Sequence, residues 1–411
     1  MGENMTFFED GFKKNGLIWL RYIYFAFVGC LIGAIIGLAE TIFCLGLNWI
    51  FKIRVGHEMS LLIAMPFVGL LIIFIFVKYG GQSKEGMNLV FKVDQGKSRT
   101  ITYRLVPCMV LSTWLTHLVG GSVGREGVAV QIGATLSYRI GKKLPFSIPK
   151  SMLLETGIAA GFSGLFGTPI AAAFFGLEVL VSGAIRYEGL CSALTGSFMA
   201  AYISSLFGIH AEQFALPHVS ITFFLMLRVI LLGIICAFIG MFFSKSLQFM
   251  RNNLAKLWPN PYQRIFIMGI ICAGLLALFD QGRYSGLGVN LIDAAMHGQT
   301  IYPWDWILKL VMTVLVLASG FQGGEVMPLF SIGTCLGYWI GSLIGIPPMF
   351  AAAMGYAALF AAGTNTLLAP IAIGMEIFGT QYFLPIFIVC AIAFLLNKNH
   401  SIYVLQRNLR L

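Results

Sequence analysis

Runs of apolar residues long enough to cross a lipid bilayer constrain this chain more than any other feature. Leu17 to Ile53 is a long apolar run. Ser60 to Val77, Phe350 to Met375 and Thr380 to Asn397 carry no charge, and Thr222 to Phe243 carries only Arg228. A helix of about 20 residues spans the hydrocarbon core. In that solvent every backbone polar group must be satisfied inside the protein, which favours an all-α, polytopic fold. Composition agrees: 58% of the chain is hydrophobic and 11% is charged, against about a quarter charged in soluble domains. The net charge of +10 does not mark a nucleic-acid binder. Much of the Lys and Arg lies in short connectors and near the ends, at Lys13, Lys14, Lys142, Lys143, Lys398, Arg407 and Arg410. That placement marks topology, with both termini cytoplasmic in a multi-pass protein of the cell membrane.

Other classes find little support. The cysteines, Cys30, Cys44, Cys108, Cys191, Cys236, Cys272, Cys335 and Cys390, sit singly in apolar runs with no CxxC pair. The six histidines form no HExxH. Neither a metal cluster nor a disulfide framework is expected, and no cofactor is implied. Residues 1–16 read as a polar cytoplasmic segment preceding a retained first helix, not as a signal peptide. The opening MGENMT matches a myristoylation pattern, but a polytopic protein needs no lipid anchor.

Several apolar pieces are short and broken by Gly or Pro: 105–123, 126–140, 151–166, 169–183, 306–320 and 325–345. Interrupted segments in matching places of two halves point to a transport site. Gln131–Leu136 resembles Ser331–Leu336, and Glu126 and Glu325 stand just upstream of each. Thr168-Pro-Ile-Ala171 matches Ala369-Pro-Ile-Ala372, and Gly176-Leu-Glu178 matches Gly374-Met-Glu376. These similarities keep one order at an offset of about 200 residues. They predict two repeats, 17–212 and 213–411, the second inverted relative to the first. Glu178 and Glu376 read as helix-end caps, Glu155 as a helix-start residue. Gly333, Gly337, Gly341 and Gly345 read as a close helix contact.

The most informative segment is Gly120-Gly-Ser-Val-Gly-Arg-Glu-Gly-Val-Ala-Val-Gln131. Glycines precede a helix start, where unpaired N–H groups and the helix dipole attract an anion without a cationic side chain. A site lacking a full positive charge holds an ion loosely enough to release it. Glu126 in that place is a competing anion belonging to the protein. Ionised, it fills the site; protonated, it swings out. A helix-start Glu in a soluble protein usually only complements the dipole, but an ionisable residue inside a membrane span is functional by default. Gly320-Phe-Gln-Gly-Gly-Glu-Val-Met-Pro328 is the partner segment, with Pro328 suited to a first turn. Glu85-Gly-Met-Asn88 is a third glycine-led start.

GREGV at 124–128 followed by AVQIGA resembles the GREGP motif of the CLC family of chloride channels and proton-coupled antiporters. Gly86–Leu89 sits at that family's GSGIP loop, Gly324–Pro328 at its GxFxP loop, and Ala160–Ala171 resembles its next helix pair. Ser401-Ile-Tyr403 resembles the final helix that supplies a Tyr to the ion. The match runs in order over about residues 80–410. The departures are Met87 in place of the family's Ser, Val179 at the internal proton relay of the chloride antiporters, and Glu325 in the third loop. Together they resemble the fluoride/proton antiporter branch. Met327 departs from that branch, which carries a hydroxyl there.

The resemblance implies a homodimer with one pathway per subunit, gated by Glu126, that exports fluoride against protons. Met87, Gly124, Arg125, Gly127, Glu325, Val326, Met327 and Tyr403 are the expected anion-site residues, with Arg125 more structural than ligating. The alternative is a chloride channel or chloride/proton antiporter. An intramembrane enzyme has no support from any dyad, metal cluster or nucleophile elbow in the sequence.

Overall fold

The computed structural model describes residues 3–81, 85–98, 100–144 and 148–409, with side chains from residue 19 onward apart from Asp280. The side chains of Lys13, Lys14 and Arg410 lie outside the described residues. Seventeen α-helices carry the described chain. They are α1 (Glu3–Arg54), α2 (Glu58–Ile63), α3 (Met65–Ile75), α4 (Met87–Asp94), α5 (Leu105–Leu118), α6 (Glu126–Gly141), α7 (Lys150–Phe166), α8 (Pro169–Glu178) and α9 (Leu190–Ser205). The second half holds α10 (Phe223–Leu257), α11 (Pro261–Leu278), α12 (Val289–Met296), α13 (Asp305–Ser319), α14 (Val326–Ile344), α15 (Pro348–Thr364), α16 (Leu368–Phe378) and α17 (Phe383–Leu396). Two short strands, β1 (Val181–Ser182) and β2 (Arg407–Asn408), pair in parallel and tie the C-terminal tail to the first half.

Among the described residues, four helices are long and apolar enough to cross a membrane: Trp19–Arg54, Phe223–Leu257, Pro261–Leu278 and Val326–Ile344. The others are shorter, and several stop inside the molecule. The run Phe350 to Met375 is not one span. It breaks at Asn365, whose φ of 57° ends α15, and α16 restarts at Leu368. Ser60 to Val77 is likewise divided between α2 and α3, with a proline opening α3, where its missing N–H costs nothing. α1 begins at Glu3 and runs through residues 3–16 without a break.

Glycine sets the inner packing. Hydrophobic burial does not drive helices together in lipid, so close van der Waals contact must. A Cβ on Gly333, Gly337 or Gly355 would strike a carbonyl of the facing helix, which holds α14 tight against α15. Gly133, Gly157 and Gly161 do the same between α6 and α7. Gly345 differs from its predicted role: it caps the C-terminus of α14 at φ 73°. Between these pairs lies an aromatic core. Phe330 stacks on Tyr356 at 3.9 Å, and Phe360 lies 4.9 Å from Phe330 and 5.7 Å from Phe175. Large apolar side chains such as Trp19, Phe27, Trp49, Phe67, Phe224 and Phe249 face outward instead, as a lipid-facing surface requires.

The two halves cap each other. The Glu178 carboxylate accepts from the N–H groups of Leu367, Leu368 and Ala369 at the start of α16. Glu376 accepts from Ile170 and Ala171 at the start of α8. The capping expectation holds, and each cap serves the opposite repeat. Glu155 is not a helix-start residue. It lies further along α7, buried, and pairs with Arg186 at 3.2 Å.

Candidate anion pathway

Two hairpins of interrupted helix meet at the centre. Each first helix ends at a glycine in the left-handed region, Gly120 after α5 at φ 77° and Gly320 after α13 at φ 112°. A side chain is strained in that conformation, so glycine is what lets the chain turn back inside the protein. The loops that follow pair with each other. Gly124 N–H donates to Gly324 O at 2.6 Å, and Gly324 N–H donates to Gly124 O at 2.7 Å. Immediately beyond this bridge α6 and α14 begin, so both helix N-termini open onto one volume.

Glu126 occupies that volume and is fully buried. Its Oε2 accepts from the backbone N–H of Arg125 at 3.0 Å and from the backbone N–H of Met327 at 3.1 Å. One donor comes from each hairpin. Its Oε1 is buried with no partner among the described residues. The carboxylate therefore sits where an anion would be held by backbone dipoles, retained by one oxygen only. Met327 contributes its main chain to this contact.

The residues on either side of Glu126 face different cavities. Arg125 lines a cavity of about 900 Å³ together with Arg54, Glu58, Glu212, Arg283 and Ser285. Gly127 lines another of about 290 Å³, with Met87, Asn88, Gln131, Arg251, Glu325 and Tyr403. Two buried phenols are near enough to feel the carboxylate: Tyr356 lies within electrostatic reach of Glu126 and Glu212, and Tyr403 within reach of Glu126 and Glu325.

Most predicted site residues converge here. Gly124, Arg125, Gly127 and Met327 touch or flank the Glu126 carboxylate, and Val326 opens α14 beside it. Met87 heads α4 on the wall of the smaller cavity. Glu325 is the N-cap residue of α14, but its carboxylate makes no cap bond to the helix start. Its Oε1 accepts from Arg251 Nη2 of α10 at 3.0 Å. Tyr403 arrives on a turn, not on a helix. Ile402 N–H donates to Gly363 O at 2.9 Å, and the Tyr403 ring packs 5.6 Å from Phe91.

Residues not expected at the site also belong to this region. Arg251, Gln131 and Asn88 line the smaller cavity. Lys309 is fully buried and donates to Ser122 Oγ at 2.9 Å, Gly286 O at 2.8 Å and Tyr284 O at 3.2 Å. It thereby pins the loop that carries Glu126. A lone charge inside an apolar run was the available signal for Lys309; Arg251 offered none beyond its charge.

Comparison with known proteins agrees with this architecture. A family model described as voltage gated chloride channel matches residues 68–398. This chain is a member of the CLC family. A CLC relative named chloride/fluoride channel protein, from Pseudomonas syringae pv. tomato, is 31% identical over 390 residues, covering 92% of this chain and 85% of the relative. The crystal structure of a CLC-type fluoride/proton antiporter superposes with a TM-score of 0.92 at 43% identity, covering 94% of this chain and 98% of the other. The structure of a slow cyanobacterial Cl⁻/H⁺ antiporter has a TM-score of 0.79 at 20% identity, covering 91% and 94%. That last likeness concerns the fold.

Proposed function

We propose that this protein exports fluoride in exchange for protons, with Glu126 as the gate. One observation carries the reading. Glu126 is the buried residue between two cavities, its predecessor lining one and its successor the other. An ionised Glu126 occupies the backbone cradle and excludes the anion. Protonation removes the charge that the N–H groups of Arg125 and Met327 hold. The side chain then leaves, and an anion takes its place. The displaced acid then releases its proton on the opposite side of the barrier, and return of the ionised carboxylate expels the anion.

Fluoride as the substrate is supported by the 43%-identical fluoride/proton antiporter structure and by Met87 and Glu325, which lie together on the smaller cavity. That cavity faces the cytoplasm in our reading, with Tyr403 closing it, and the larger one faces outward. Gly124, Gly127, Val326 and Met327 supply main chain to the ion, and Arg125 provides field from the outer side. The repeats 17–212 and 213–411 assemble this pathway within one subunit of a homodimer in the cell membrane.

Chloride transport through the same path is the second reading. Met327 favours it, since a thioether offers a small hard anion no hydrogen bond. Proteoliposomes loaded separately with fluoride and chloride, with anion efflux and internal pH recorded together, decide the matter. Fluoride efflux with proton uptake, and little chloride efflux, is expected. Chloride flux equal to or faster than fluoride would overturn the fluoride assignment.

A further inference from the structure

We propose that Glu40 is a second proton-binding carboxyl of the transport cycle, loaded and unloaded as Arg125 moves between it and an anion in the larger cavity. The inference rests on the proton-coupled reading above and assigns that cycle a residue outside the Glu126 hairpin.

Glu40 lies within the membrane-spanning part of α1 and is fully buried. Neither of its carboxylate oxygens has a partner among the described residues. Among the described residues, each other buried carboxylate has a partner through at least one oxygen. Glu126 and Glu178 accept backbone N–H groups, Glu155 meets Arg186, Asp94 meets Arg186 and Arg407, and Asp305 meets Arg283 and Tyr284. An ionised carboxylate left like Glu40 costs several kcal/mol. It is stable as the neutral acid, or as an anion only when a cation comes to it.

Arg125 is that cation. Its guanidinium lies within electrostatic reach of Glu40, of Glu126 and of Glu212. Its Nε is buried without a partner, and the residue lines the larger cavity. Two groups of opposite charge, each with buried atoms that have no partner among the described residues, thus lie within electrostatic reach of one another beside the gate. The remaining elements around Glu40 bring no competing charge. Gly164 of α7 lies against its Cβ and Cγ, and the nearby Ser204 hydroxyl of α9 donates to Gly37 O. Cys44 stands one turn further along α1. The α7 carboxylate Glu155 is engaged by Arg186, and His117 of α5 packs against Phe51, several turns from Glu40. Ser112 and Thr113 of α5, which packs on α1, are buried with unpartnered hydroxyls. Buried, unmet polar atoms of this kind are where internal water resides, and water is what would carry the proton. When an anion draws Arg125 into the cavity, Glu40 takes up a proton from that water. When Arg125 returns, the carboxylate is paired and its proton is released to water on the opposite side of the gate from the water that supplied it.

The test is E40Q in proteoliposomes, with fluoride efflux and proton uptake recorded together. Fluoride movement persists, protons per fluoride fall below the wild-type ratio, and the rate loses part of its pH dependence. An E40Q protein with the wild-type ratio and pH profile overturns the proposal. A wild-type protein that moves fluoride without protons overturns the antiporter reading itself, and with it this one. A measurement independent of transport is the infrared difference spectrum induced by fluoride. In E126Q a carboxylic C=O band remains that E126Q/E40Q lacks. Absence of any such band in E126Q refutes the assignment even if E40Q does not assemble.

Discussion

At the scale of the residue, the proposed gate is a carboxylate held by one oxygen. Glu126 Oε2 takes two backbone donors while Oε1 takes none. E126Q keeps the shape and removes the titration, so proton uptake in fluoride-loaded vesicles should fall to background; uptake at the wild-type rate would remove Glu126 from the mechanism. Arg251 has a different part. Its pairing with Glu325 is partly exposed, and such pairs contribute about 0–1 kcal/mol. R251M should therefore leave thermal stability within about 1 kcal/mol of wild type, yet raise the KM for fluoride by removing a cation from the smaller cavity. An unchanged KM would make Arg251 a purely structural partner. The contrast explains what could be read from the chain alone. Glu126 and Glu325 were legible because carboxylates are rare in apolar runs and these two follow glycines. Arg251 sits 74 residues from Glu325 in sequence, near the end of a long helix where a basic residue reads as a topology marker. Glu40 lies in the first apolar run without a glycine motif beside it, and only its environment makes it conspicuous.

At the scale of the element, short helices that stop inside the membrane depend on borrowed caps. A helix start leaves four N–H groups without partners, and lipid offers none. Glu178 satisfies three of them on α16, and Glu376 two on α8. E178A strands buried donors that cost about 1–3 kcal/mol each when unmet; E376A strands fewer, one of them on the exposed Ile170. Thermal unfolding in detergent should show E178A losing more stability than E376A, with the proton-to-fluoride ratio unchanged in whichever variant assembles. A reversed order would mean that the caps matter less than the surrounding packing. Pairwise similarity revealed that the two glutamates were equivalent, but not that each serves the other repeat, because crossing contacts leave no trace in local sequence. Hydropathy likewise could not divide Phe350–Met375, since the break at Asn365 is a backbone event within an apolar composition. The turn that delivers Tyr403 escaped for a similar reason: it is set by a long-range bond from Ile402 to Gly363.

At the scale of the whole molecule, inversion of one repeat against the other explains why the site is central. The bridge between Gly124 and Gly324 joins equivalent loops of the two halves, so helix starts approaching from opposite sides converge on it. Everything the gate needs then belongs to a single chain: the carboxylate, both backbone donors, and the lining of both cavities. In the homodimer proposed above, each subunit would then hold its own pathway, whatever surface joins the two. This makes a prediction about mixed dimers. A covalently linked pair carrying E126Q in one subunit should take up protons at about half the rate of the wild-type pair, because one E126Q pathway does not impede the other. A shared pathway, or gates that move in concert, would instead drop the mixed pair close to the double E126Q value. The linked wild-type and doubly substituted pairs, measured at equal protein in the same vesicles, supply the two limits between which the mixed pair must fall.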